Sequence, residues 1–125
     1  MDIKPLTKAE EEIMHILWKI KKGFVKDLLD HFDEPKPAYN TVSTIVRILE
    51  KKGFVGYTAF GKTHEYYPLI SKEHYTRFYL KSMISGYFNG SFSSLVSFFA
   101  QQESLSVKEI EALEKKLAEL KKKNP

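Results

Sequence analysis

The stretch that most limits what this chain can fold into is Asn40-Thr41-Val42-Ser43-Thr44-Ile45-Val46-Arg47-Ile48-Leu49-Glu50-Lys51-Lys52-Gly53. Val42, Ile45, Val46 and Leu49 recur at i, i+3, i+4 and i+7, which gives a helix one apolar stripe. The opposite face carries Asn40, Ser43, Thr44, Arg47 and Lys51, side chains that hydrogen-bond to base edges and phosphates. Pro35 and Pro37 force a turn before it, and Gly53 supplies a stop after it. A helix of this kind must lay its stripe on neighbouring elements and leave its polar face outward. It reads as a DNA-recognition helix, with the rest of the chain as its support.

The flanking segments fit that role. Thr7-Lys8-Ala9-Glu10 has the spacing of a capping box, so a first helix starts there. Ala9, Ile13, Ile16, Leu17 and Ile20 follow at helical spacing, with Met14 and Trp18 alongside, and Gly23 is expected to end the helix. Val25 to Phe32 reads as a short second helix with Leu28, Leu29 and Phe32 inward. After Gly53 the pattern changes: Phe54 to Phe60 is β-branched and aromatic, Gly61-Lys62 marks a turn, and His64 to Leu69 reads as the returning strand. Three helices followed by a β-hairpin form a winged helix-turn-helix, with Gly61-Lys62-Thr63 as the wing tip.

The second part of the chain is helical. Ser71 caps a helix carrying Tyr75, Phe78, Tyr79, Met83 and Ile84, which weakens around Gly86. A segment after Gly90 carries Phe92, Leu95, Val96, Phe98 and Phe99. Ser106-Val107-Lys108-Glu109 repeats the capping-box spacing, and Ile110, Leu113, Leu117 and Leu120 form a narrow seam, followed by a frayed tail from Lys121. About 50 residues bury so many aromatics poorly alone, so these faces are expected to close on a second copy. The expected class is mainly α with a small β-hairpin. Residues 1–70 form a winged-helix DNA-binding domain and residues 71–125 a helical dimerisation domain.

Charge supports the same face. The chain carries a formal net charge of +4. Residues 36–62 hold Lys36, Arg47, Lys51, Lys52 and Lys62 against Glu50 alone, which suits a nucleic-acid contact. The run Glu10-Glu11-Glu12 reads as first-turn acids favoured by the helix dipole. With no cysteine, thiolate metal sites and thiol nucleophiles are excluded. His15, His31, His64 and His74 are scattered without metal-ligand spacing, and there is no phosphate-binding glycine loop. No enzyme activity, metal or cofactor is expected. No run approaches 18 apolar residues and no secretory leader is recognisable, so a cytoplasmic protein without membrane insertion is expected.

The residues also resemble a known family. Leu6-Thr7 with Ala9-Glu10, Met14 and Leu17-Trp18, then Asn40 to Thr44, Leu49 and Lys51-Lys52-Gly53, are similar to the penicillinase and methicillin-resistance repressors. So are Gly61-Lys62 with Tyr66-Tyr67-Pro68, and Asn89-Gly90-Ser91 with Leu95-Val96, Phe99, Leu105-Ser106 and Glu109-Ile110-Glu111. The resemblance runs from about residue 6 to 120. It implies a homodimeric winged-helix repressor on a palindromic double-stranded operator, controlling β-lactam-resistance or related stress genes. It maps DNA-reading positions to Asn40, Thr41, Ser43 and Thr44, and the wing cation to Lys62. It also implies a membrane sensor protease system whose signal leads to a cut in the dimerisation region. The copper-responsive branch relies on tail cysteines, which this chain lacks.

The chain departs from its relatives at several places. Glu11 stands where a tryptophan is common, Lys62 replaces an arginine, and an arginine of the recognition helix is Ile48, with Arg47 beside it. The asparagine–phenylalanine cleavage bond aligns with Phe98-Phe99, the candidate cleavage site here. Altogether Asn40, Thr41, Ser43, Thr44, Arg47, Lys51, Lys52, Lys62 and Thr63 are expected to contact DNA. Tyr75, Phe78, Tyr79, Phe92, Leu95, Phe98, Phe99, Ile110, Leu113 and Leu117 are expected at the dimer interface. Two alternatives stay open: a winged-helix protein-interaction module that never touches DNA, and a regulator responsive to a small ligand.

Overall fold

In the computed structural model, which describes residues 3–103 and 105–124, the elements run in the expected order. They are α1 (Lys8–Ile20), α2 (Val25–Leu29), α3 (Tyr39–Lys51), β1 (Val55–Phe60), β2 (Thr63–Pro68), α4 (Lys72–Phe88), α5 (Phe92–Glu103) and α6 (Val107–Lys123). The chain divides into two compact units between Leu80 and Lys81.

In the first unit, α1 begins at a complete capping box. The Thr7 hydroxyl accepts the Glu10 N–H at 3.2 Å, and the Glu10 carboxylate accepts the Thr7 N–H at 2.9 Å. The helix ends at Ile20 rather than at Gly23, because Lys21 takes a φ of 79° and returns its N–H to the Leu17 carbonyl. Gly23 has another role. Its N–H and carbonyl pair with Tyr66 at 2.9 and 2.8 Å, so the chain between α1 and α2 lies along the hairpin. The second helix stops at Leu29, with Asp27 accepting the Phe24 N–H at 2.9 Å.

The stripe of α3 lands as its periodicity requires. Val42, Val46 and Leu49 are fully buried with Ile13, Met14, Leu17, Leu28 and Phe54. The helix then closes in a Schellman motif: the Phe54 N–H bonds the Leu49 carbonyl at 2.9 Å and the Gly53 N–H bonds the Glu50 carbonyl at 3.0 Å. Gly53 carries the left-handed φ of 83° that this turn needs. Phe54 and Leu49 are also the apolar pair that accompanies such a motif, and both are fully buried. One turn therefore ends α3 and starts the antiparallel hairpin, in which Phe60 pairs with Thr63 and Val55 with Pro68.

The start of α4 belongs to this first unit, so the division falls ten residues later than the expected boundary at residue 70. Tyr75, expected at a dimer interface, is buried in the winged-helix core. Its hydroxyl accepts the Leu6 N–H at 2.9 Å. Phe78 packs half-buried against the same core, and the Trp18 indole donates to the Ile70 carbonyl at 2.9 Å. An aromatic pattern alone does not tell which core a ring joins; these hydrogen bonds decide it.

In the second unit α4 runs unbroken through Gly86 and ends with Asn89 and Gly90 at φ of 50° and 79°. The Ser106 hydroxyl caps α6 by accepting the Glu109 N–H at 3.1 Å. The Glu109 carboxylate accepts from that hydroxyl, not from the Ser106 backbone. The helix reaches Lys123 instead of fraying at Lys121, its three last-turn lysines facing the negative end of the helix dipole. No side chain on α6 is buried: Val107, Ile110, Leu113, Leu117 and Leu120 are between 42% and 71% exposed.

Glu10 is a first-turn acid of α1 as expected, but it is buried. Burial pushes its pKa up, but the Lys52 ammonium at 2.7 Å and the Thr7 hydrogen bonds outweigh that and hold it below the usual carboxylate value. A carboxylate with a lowered folded pKa stabilises the fold at neutral pH, and the contribution is lost as the pH falls through the folded value. Lys52→Ala should therefore destabilise the protein by about 1–3 kcal/mol at pH 7 in urea unfolding. The gap from the parent protein should narrow as the pH is taken below the carboxylate range.

Candidate nucleic-acid interface

The polar face of α3 and the hairpin enclose a concave surface. It is lined by Tyr39, Ser43, Arg47, Glu50 and Lys51 from the helix and by Tyr57, Lys62, Thr63, His64 and Tyr66 from the wing, with Val25 at its floor. Each set follows from its element. Tyr39, Ser43, Arg47 and Glu50 are spaced by four, four and three residues, so they share one helix face. Tyr57 pairs with Tyr66 and Ala59 with His64, placing alternate hairpin residues on the side turned to α3.

The structure gathers most of the expected contacts here. Ser43, Arg47, Lys51, Lys62 and Thr63 meet on this one surface. Asn40 and Thr44 are exposed on α3. The Thr44 hydroxyl donates to the Asn40 carbonyl at 2.9 Å, so what it offers outward is an acceptor and a methyl group. Thr41 points elsewhere and lines a separate groove with Glu12, Phe32, Pro35 and Ile45. Lys52 is held inward by Glu10 and by the Pro5 carbonyl at 3.3 Å, so its charge is spent within the protein. Its lysine neighbour in sequence faces out; the one-residue step rotates the side chain by about 100° on a helix.

Sequence reasoning overlooked Tyr39, Glu50, Tyr57 and His64 as part of this surface. The period-two pattern of the hairpin held the signal for the last two, because it places them on the face shared with Tyr66. Burial pushes the Tyr66 phenol pKa up; the Glu50 carboxylate adds to that rise while Arg47 opposes it. Glu50 is the single acid among the described residues that line the surface. Thr63, expected in the turn, is the first residue of β2. The turn is a two-residue loop with Gly61 at φ 65°, the position where hairpins of this type need glycine.

Among the described residues no group of three or more His, Cys, Asp or Glu is placed to hold a metal ion. None of the described helices is long and apolar enough to cross a membrane.

Comparison with known proteins places the chain among repressors. The sequence profile of the penicillinase repressor family matches residues 6–119. The methicillin resistance regulatory protein MecI of Staphylococcus aureus (strain N315) is 31% identical over 109 residues, covering 86% of this chain and 89% of that protein. The penicillinase repressor of Bacillus licheniformis is 27% identical over 120 residues, covering 95% of this chain and 94% of that protein. Among solved structures, the DNA binding domain of the repressor BlaI superimposes with a TM-score of 0.51 at 24% identity, covering 59% of this chain and 92% of that one. At that identity the likeness concerns the fold, and it supports the winged-helix assignment.

Gly61 sets the wing's position, so Gly61→Ala should strain it. The expected cost is about 1–2 kcal/mol, read as lowered stability in urea and as faster amide exchange confined to β1 and β2.

Proposed function

This chain belongs to the penicillinase repressor family, and we propose that it represses transcription as a homodimer, each winged unit reading one half of a palindromic operator. The family is one of repressors and not of enzymes. The observation that carries the reading is the concave surface on which Arg47, Lys51 and Lys62 converge beside the polar face of α3. A major groove admits a helix of this width, and cations on either side of it neutralise phosphates while the hydroxyls and Asn40 read base edges. The proposed contacts are Asn40, Ser43, Thr44, Arg47, Lys51, Lys62 and Thr63, with Thr41 at the edge. Lys52 is left out because Glu10 holds it.

Homodimerisation is supported by the second unit. The apolar seam of α6 is exposed along its length, and on α5 Phe92, Phe98 and Phe99 are each more than half exposed. A second copy would cover both and would set two recognition helices at a fixed spacing. The names of the relatives favour β-lactam-resistance or related stress genes as targets, and repression of such genes would take place in the cytoplasm. The proposed upstream partner is a membrane sensor protease. Phe98-Phe99 lies inside α5, where the backbone is hydrogen-bonded and less open to cleavage than a loop. Chain length after β-lactam exposure tests this: a cut at that bond supports it, and an intact chain alongside derepressed genes refutes it.

Selection of bound duplexes from random DNA tests the central reading. The expected outcome is a palindrome bound far more tightly than scrambled DNA. Equal weak binding to both would instead favour a protein-interaction module. Lys62→Ala should weaken binding to every sequence and reduce the salt slope by about 1 per protomer. Thr44→Ala should cost about 1 kcal/mol at one base pair per half-site, the worth of a single hydrogen bond. Leu113→Glu with Leu117→Glu should give a monomer in sedimentation and lower operator affinity at least about tenfold.

A further inference from the structure

The surface between α3 and the wing holds a feature that the lysine and arginine contacts do not use. The rings of Tyr57 and His64 lie stacked, with centroids 4.0 Å apart and planes 8° apart. The stack is diagonal across the hairpin, because Tyr57 pairs with Tyr66 and His64 with Ala59. The Tyr66 ring meets His64 edge-on at 6.1 Å. The half-buried imidazole is therefore stacked on one phenol ring and touched by a second, which lies 6.1 Å from both, and it loses little conformational freedom when a ligand arrives.

The charged groups facing it come from two elements. From α3 they are Arg47, Lys51 and Glu50, with the Tyr39 phenol; from the hairpin they are Lys62, Tyr57 and Tyr66. An anion brought onto this surface meets these three cations and, when His64 is protonated, a fourth. An imidazolium has two N–H donors for a phosphate oxygen, and the Tyr57 ring beneath it adds cation–π attraction. Histidine is also the side chain whose charge ordinarily changes between about pH 5 and 8. His15, His31 and His74 lie on α1, beyond α2 and on α4, and none lines this surface.

We propose that His64, held on Tyr57, is a proton-linked contact to the DNA phosphate backbone, so that operator binding takes up a proton and strengthens as the pH falls from 8 to 6. The inference rests on the DNA-binding reading and adds a residue and a pH response to it. Binding that prefers the protonated form must tighten as protons become available.

The test is fluorescence anisotropy with the full chain and a labelled duplex recovered by selection, at constant salt from pH 5.8 to 8.2. Wild-type affinity should rise about three- to tenfold per protomer over that range. His64→Gln cannot be charged, and His64→Phe keeps a ring on Tyr57 without a charge; both should lose this slope while circular dichroism shows the fold retained. Binding by wild type and both variants with one shared slope overturns the inference and leaves the repressor reading standing. Absence of duplex binding by the wild type at any pH overturns both.

Discussion

The contact on which the winged unit depends is the ion pair between Glu10 and Lys52. The Lys52 ammonium reaches the Glu10 carboxylate at 2.7 Å and the Pro5 carbonyl at 3.3 Å, while Glu10 also accepts the Thr7 N–H. One small cluster thus ties the segment before α1, the first turn of α1 and the end of α3. A carboxylate buried without such partners would be costly, so seatings of α3 that separate the two groups are disfavoured. Close packing of its buried stripe seats α3, and the pair adds a polar fixed point at the helix end. The pair pins the end of α3 to the first turn of α1, and with the buried stripe it sets which way the polar face looks.

The hairpin inherits that placement from α3. The Schellman turn at Gly53 leaves only one residue, Phe54, between it and β1, and buries that residue's ring. The far strand is tied in turn to the segment after α1 through Gly23 and Tyr66. The hairpin is therefore braced at both ends of its base, and only its tip, at Gly61-Lys62, extends free of helices. A surface bounded by a fixed helix and a braced hairpin is already shaped before any ligand arrives. Little ordering cost remains for the side chains that line it.

Much of this was legible in the residues. The stripe Val42, Ile45, Val46 and Leu49 placed α3 because its period is long and uninterrupted, and Thr7 with Glu10 placed the start of α1. The errors came where a residue's local pattern has two tertiary outcomes. Glu10 satisfies a capping box whether it faces water or a lysine 42 residues away. Lys52 reads as one more cation in a basic run until a partner is seen. Tyr75 fits an interface and a core equally well by spacing, and the Leu6 N–H, 69 residues away, settles it. The stack of His64 on Tyr57 depends on strand register, which neither residue reveals by itself.

On the proposed reading, affinity and selectivity lie on different parts of one surface. The cations Arg47, Lys51 and Lys62 attract any phosphate, and alone they would accept DNA in many registers. Glu50 sits among them and repels a phosphate set one turn too deep, while it can accept from a cytosine amino group. Thr44 has already given its hydroxyl proton to Asn40, so it favours a base that donates, or a thymine methyl. Ile48, 40% exposed on α3, cannot take the bidentate guanine contact that an arginine there would make and offers only apolar contact. On that reading Ile48 disfavours guanine wherever it meets the groove, while Arg47, Lys51 and Lys62 hold the backbone whatever the sequence.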